Sequence, residues 1–121
     1  MSRPLQMVVQ LPLTGRLGTE AEGVAHGALV EALAEAFEAG AFGEVEGSMV
    51  NDGKENVLIY DVPPGRWDAA LAFVVAELGR RGLDRRALIA RGTQAPDQDD
   101  AEFEQEVVWP PGFEGEFSHL G

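Results

Sequence analysis

Glu44-Val45-Glu46-Gly47-Ser48-Met49-Val50-Asn51-Asp52-Gly53-Lys54-Glu55-Asn56-Val57-Leu58-Ile59-Tyr60-Asp61-Val62 is the stretch on which the fold turns. Asp-Gly suits the positive φ angles that tight hairpin turns demand. Residues 44–50 and 56–62 therefore read as two strands joined at Asn51-Asp52-Gly53. In the second strand Val57 and Ile59 fall on one face, and Leu58 and Tyr60 on the other. Apolar side chains on both faces predict a strand inside a sheet.

Upstream, Leu5, Met7, Val9, Leu11 and Leu13 alternate with Gln6, Val8 and Gln10, the period of a half-buried strand. A loop follows at Thr14-Gly15-Arg16-Leu17-Gly18. Thr19 and Glu22 form a capping-box pattern, and the acids there meet the positive end of a helix dipole. Gly23 and Gly27 weaken those first turns, so the helix is expected to begin nearer Val24. Leu29, Leu33, Ala36 and Phe37 line its apolar stripe, Glu31, Glu35 and Glu38 point outward, and Gly40 supplies a left-handed stop.

Downstream, Pro63-Pro64-Gly65 breaks the strand. Trp67, Ala70, Leu71, Val74, Val75 and Leu78 then give the clearest helical stripe in the chain, which ends near Gly79–Gly82 with Arg80 and Arg81 at the negative pole. Residues 87–90 read as a fourth strand, and residues 104–109 can add a fifth. The order β-α-β-β-α-β predicts an α+β fold, the ferredoxin-like split β-α-β sandwich, with a four-stranded antiparallel sheet and both helices on one face. This domain spans residues 1–95. An acidic extension, residues 96–121, packs on or beside it. The uncovered sheet face would present Val8, Leu58 and Tyr60 among Gln6, Gln10 and Asn56, an opening for the extension, a second copy, a ligand or a partner.

The 121 residues carry a formal net charge of −12. Residues 1–96 hold 13 acidic and nine basic side chains, whereas residues 97–121 hold eight acidic and no basic ones. That balance argues against nucleic acid and anionic membranes as partners and favours a basic protein surface, unless it serves solubility alone. The chain has no cysteine, which excludes disulfides, thiolate metal sites and a cysteine nucleophile. Its longest apolar run, residues 69–76, is far below the ~20 residues of a membrane span. No secretory pattern is read at the N-terminus, and a cytoplasmic location is expected.

Groups able to do chemistry are few. His26 and His119 are the two histidines, and Ser2, Ser48 and Ser118 the three serines. Gly23-Val24-Ala25-His26-Gly27 lacks the third glycine and the preceding strand of a dinucleotide loop. His26 has no neighbour in sequence to orient it as a base and reads as a solvent-facing helix-start residue. Asp97, Asp99, Asp100 and Glu102 miss the glycine and final glutamate of an EF-hand loop, so no metal and no cofactor are expected. Arg80, Arg81, Arg85, Arg86 and Arg91 either grip an anionic group or pair with the chain's own acids. The helix starts near Thr19 and Arg66 are candidate anion sites if the domain senses a small ligand. Glu102, Glu104 and Glu106 alternate on the last strand, as an acidic edge for a basic partner or as a guard against aggregation. Trp109 anchors the tail on its own sheet or docks as part of an extended ligand with Pro110 and Pro111.

At Glu44-Val45-Glu46-Gly47, Asn51-Asp52-Gly53 and Asn56-Val57-Leu58-Ile59-Tyr60 the chain resembles a group of small bacterial ferredoxin-like α/β proteins, similar to the acidic immunity proteins that neutralise toxins. The likeness covers about residues 5–91 and implies binding without catalysis. The expected partner is a protein with a basic surface, such as a toxin, contacted through Glu46, Tyr60, Glu102, Glu104, Glu106 and Trp109. The competing reading is a small-molecule-binding or regulatory domain that dimerises through the open sheet face.

Overall fold

A computed structural model describes residues 4–51, 53–93 and 104–112. Five strands and two helices follow one another as β1 (Leu5–Pro12), α1 (Glu20–Gly40), β2 (Glu44–Asn51), β3 (Lys54–Val62), α2 (Trp67–Arg80), β4 (Leu88–Thr93) and β5 (Glu104–Trp109), with a 3-10 turn at Pro64–Arg66 leading into α2. The class is α+β, and the sheet has five strands where four were expected. The order is β2-β3-β1-β4-β5, and every neighbouring pair is antiparallel. The additional strand comes from the acidic extension, which extends the sheet at the β4 edge.

Both helices lie on one face of the sheet. Met7, Val9 and Leu11 of β1, Val57 and Ile59 of β3, and Ile89 of β4 share one buried cluster with Leu29, Leu33 and Phe37 of α1 and Trp67, Ala70, Val74 and Leu78 of α2. The Phe37 ring meets Phe42 and Phe73 edge-on, with centroids 5.5 and 6.3 Å apart.

The opposite face departs from the expected bare surface. Val8 and Ala90 sit side by side in the β1–β4 register and are fully buried. Gln6, Gln10 and Asn56 on that face are each less than a tenth exposed. Their polarity is met within the sheet: Gln10 Nε2 donates to Asn56 Oδ1 at 2.9 Å, and Gln105 Nε2 of β5 donates to Gln6 Oε1 at 2.8 Å.

Two helix ends differ from the sequence reading. α1 begins directly after Thr19, four residues before Val24, because the capping box is complete and outweighs the early glycines. Its left-handed stop is Ala41, φ 54°, rather than Gly40. Gly40 is needed for space instead, since a Cβ there would stand 2.9 Å from the Phe42 ring. Three residues beyond Gly40, Gly43 (φ 132°) turns the chain into β2 where a Cβ would meet the Tyr60 carbonyl oxygen at 2.7 Å. No helix of the described residues is long and apolar enough to cross a membrane.

Phe37 fills the centre of this layer and is fully buried. Phe37→Ala should lower unfolding free energy by about 3–5 kcal/mol, read from the shift of the urea midpoint at constant m-value.

Candidate functional site

Two regions gather functional groups, one at each end of α1. Toward its C-terminus, Glu31, Glu35 and Glu38 repeat at helical spacing on the solvent side, and all three are exposed. Glu44 and Glu46 of β2 continue the charge and are exposed too. None of the five makes an ion pair with another described residue. α1 has five glutamates in 21 residues, no lysine or arginine, and no basic side chain in its last turn. Like charges three and four residues apart oppose helix formation, and an acid beside the negative pole adds to that. Between helix and strand runs a groove of about 540 Å³ whose lining includes Ala34, Phe37, Ala41 and Val45 with Glu38 and Glu44.

The sequence-predicted site residues do not converge. Glu46 lies in the β2 bulge between Val45 and Gly47, and Tyr60 stands half-buried on β3 opposite Glu44. Glu104, Glu106 and Trp109 belong to β5, the other edge of the sheet. Four strand spacings separate the two edges, about 19 Å. Glu104 and Glu106 are exposed, and Glu106 approaches Arg91 at 3.5 Å. Trp109 is half-buried and packs against the core cluster as a tail anchor. Glu102, the acids at 97, 99 and 100, Phe113, Phe117 and His119 lie outside the described residues. Within the arginine patch, Arg80 and Arg81 both pair with Glu77, and Arg91 also lies 5.8 Å over the Trp67 ring.

The second region overturns the reading of His26 as a solvent-facing residue. It is 3% exposed, and its Nδ1 lies 2.7 Å from Oε1 of Glu55 on β3. Glu55 is itself 8% exposed, and its Oε2 accepts from the Ser48 hydroxyl of β2 at 2.8 Å. A carboxylate only accepts, so Nδ1 carries the proton in this contact and Nε2 is left on the other side of the ring. The orienting group missing near His26 in sequence thus arrives from 29 residues away. A signal for it exists: the α1 stripe of Leu29, Leu33 and Phe37 extends back three residues onto His26, and the inward alternation of Ile59 and Val57 extends back onto Glu55.

His26 lines a cleft of about 300 Å³ between β1, the first turns of α1 and the loop after α2, together with Leu11, Pro12, Glu22, Leu83 and Arg85. Glu22 is the capping-box acid. Its carboxylate accepts from the backbone N–H of Thr19 at 2.8 Å, from that of Thr14 at 3.0 Å and from the Thr14 hydroxyl at 3.1 Å. The Thr14 and Thr19 amides hold this carboxyl below the usual glutamate range. The helix start at Thr19, considered above for an external anion, is therefore already filled by the chain's own carboxylate.

No protein-family model, curated protein or solved structure matches the chain.

A depressed value in the folded state means that the stabilisation from Glu22 is complete above the ordinary glutamate value, about 4.3, and is lost as pH falls through the folded value. Glu77, held low by hydrogen bonds from Arg80 and Arg81, acts in the same sense. Glu22→Gln should therefore flatten the acid limb of the stability–pH curve, with little change in its slope above pH about 6, as measured by thermal unfolding across a pH series.

Proposed function

We infer that the protein is a non-enzymatic binding module whose acidic face, formed by the outer side of α1 and the start of β2, docks on a basic surface of another protein. The supporting observation is the row Glu31, Glu35, Glu38 and Glu44, exposed and without ion-pair partners among the described residues. Such a row works against the helix that carries it. A cationic partner removes that repulsion and is drawn in by the same field, which raises its association rate. The groove beside the row has an apolar floor and carboxylates at its lip, which suits a lysine or arginine whose aliphatic stem packs on Ala34, Ala41 and Val45 while its head meets Glu38 and Glu44.

In this reading the fold is a ferredoxin-like sandwich, its strand order 2-3-1-4 extended by β5, and the function is that of a cytoplasmic immunity or antitoxin-like protein occluding a basic toxin surface. Of the residues singled out in the sequence, Glu46 adjoins this face, whereas Glu104 and Glu106 lie on the far edge of the sheet. Dimerisation through the second sheet face is the weaker alternative, because Val8 and Ala90 at its centre are closed off within a single chain.

Glu35→Lys/Glu38→Lys changes two exposed positions and should leave the far-ultraviolet circular dichroism intact. The wild-type chain, used as bait in a lysate of its source cells, should retain a basic protein that is released by salt, and the double variant should bind that protein at least about tenfold more weakly. Absence of any retained protein, or retention indifferent to the charge reversal, would overturn the reading.

A further inference from the structure

The geometry points to a binding site for a small amphoteric molecule, an α-amino acid with an apolar side chain, in the cleft at the N-terminal end of α1. This cleft is distinct from the acidic groove. His26 and Phe37 are eleven residues apart on one helix, about 16 Å along its axis.

The lining defines the ligand by what is already used and what is left. Glu22 borders the cleft, but both of its oxygens are taken by Thr14 and Thr19. It contributes negative potential and no further contact. His26 is nine-tenths buried or more, its Nδ1 is fixed by Glu55, and its Nε2 has no partner among the described residues. In the Nδ1–H tautomer that atom is an oriented acceptor on a ring that lines the cleft. A donor meeting it lies between two carboxylates, Glu22 on the wall and Glu55 behind the ring, so a cationic donor is favoured over a neutral one. An ammonium group fits this demand.

Arg85 is the opposite pole. It lines the same cleft, is exposed, and has no ion pair among the described residues. A guanidinium presents a planar fork that matches a carboxylate. Leu11, Pro12 and Leu83 supply the apolar wall. A volume of about 300 Å³ is at the small end of ligand sites. Ammonium, carboxylate and a compact apolar group in one small molecule satisfy all three parts of the lining. An anion alone would face Glu22 unaided, and a cation alone would leave Arg85 without a counter-charge.

The test is a titration of the full ¹⁵N-labelled chain with three probes sharing one branched hydrocarbon: L-leucine, isovalerate and isoamylamine. Long-range ¹H–¹⁵N correlations read His26 Nε2 directly. The expected result is saturable movement of the His26 Nε2 signal by L-leucine, with isovalerate and isoamylamine each at least about tenfold weaker. Arg85→Gln, a surface change compatible with folding, should weaken L-leucine at least about tenfold and leave isoamylamine unaltered. His26→Gln, followed through the backbone amide signals of the cleft residues, should weaken both. No movement of Nε2 by any probe up to roughly 10 mM would overturn the proposal. So would isovalerate binding as tightly as L-leucine, or L-leucine binding equally well to Arg85→Gln. These results are independent of whether the acidic face captures a protein.

Discussion

Strand β1 must be shielded on both of its faces, and the remaining architecture follows from that requirement. It lies at the middle of five strands, with β3 on one side and β4 on the other. Met7, Val9 and Leu11 seat the two helices, while Val8 is equally buried on the reverse. A strand with two inside faces needs neighbours along both edges and cover on both sides. α1 and α2 supply one cover from segments that each begin with a sharp structural instruction, the Thr19 capping box and the Pro64–Arg66 turn. On the reverse face the amides of Gln6, Gln10, Asn56 and Gln105 bond to one another in pairs, so polar side chains are buried there without losing their hydrogen bonds.

The core also contains one choice that packing alone does not require. An apolar residue at position 26 would continue the stripe of Leu29, Leu33 and Phe37, and one at position 55 would continue that of Val57 and Ile59. The chain places histidine and glutamate there and joins them across 29 residues. Exchanging such a pair for well-packed apolar groups is often neutral or stabilising, whereas removing one partner is costly. A buried pair of this kind earns its place through what it orients. Here it fixes an imidazole ring that lines a cleft, and the Ser48 hydroxyl in turn holds the second oxygen of Glu55.

Legibility in the sequence followed the strength of local physics. Alternation in residues 5–13, the Asp-Gly turn and the apolar stripe of α2 each have a local cause, and the element order read from them matches the structure. The last strand, residues 104–109, was legible as a possibility because Phe103 and Val107 alternate with glutamates. The functional regions were harder to see. The sequence neighbours of His26, Gly23 and Gly27, suggest a frayed end. The burial of His26 brings it against Glu55 of β3, 29 residues away along the chain. Composition alone groups the acidic residues on one partner surface, yet strand order sends β2 and β5 to opposite edges. Topology, set by long-range pairing, decides which charges share a surface, and charge counts along the sequence carry no information about it.

The two regions also show how α1 can carry conflicting demands. Its outer face repels itself, and its last turn puts Glu38 at the wrong pole of the dipole. Its inner face compensates: Leu29, Leu33 and Phe37 are fully buried, and each contributes roughly 1.5–3 kcal/mol from burial, several times the few tenths that a like-charge helical pair costs. Because tertiary burial so outweighs local repulsion, the solvent side is free to hold an unbalanced charge pattern. The same surplus permits His26 to replace an apolar residue on the inner stripe. A helix held less firmly could present neither the acidic row nor the oriented imidazole, so the apolar seat on β1 is the condition for both.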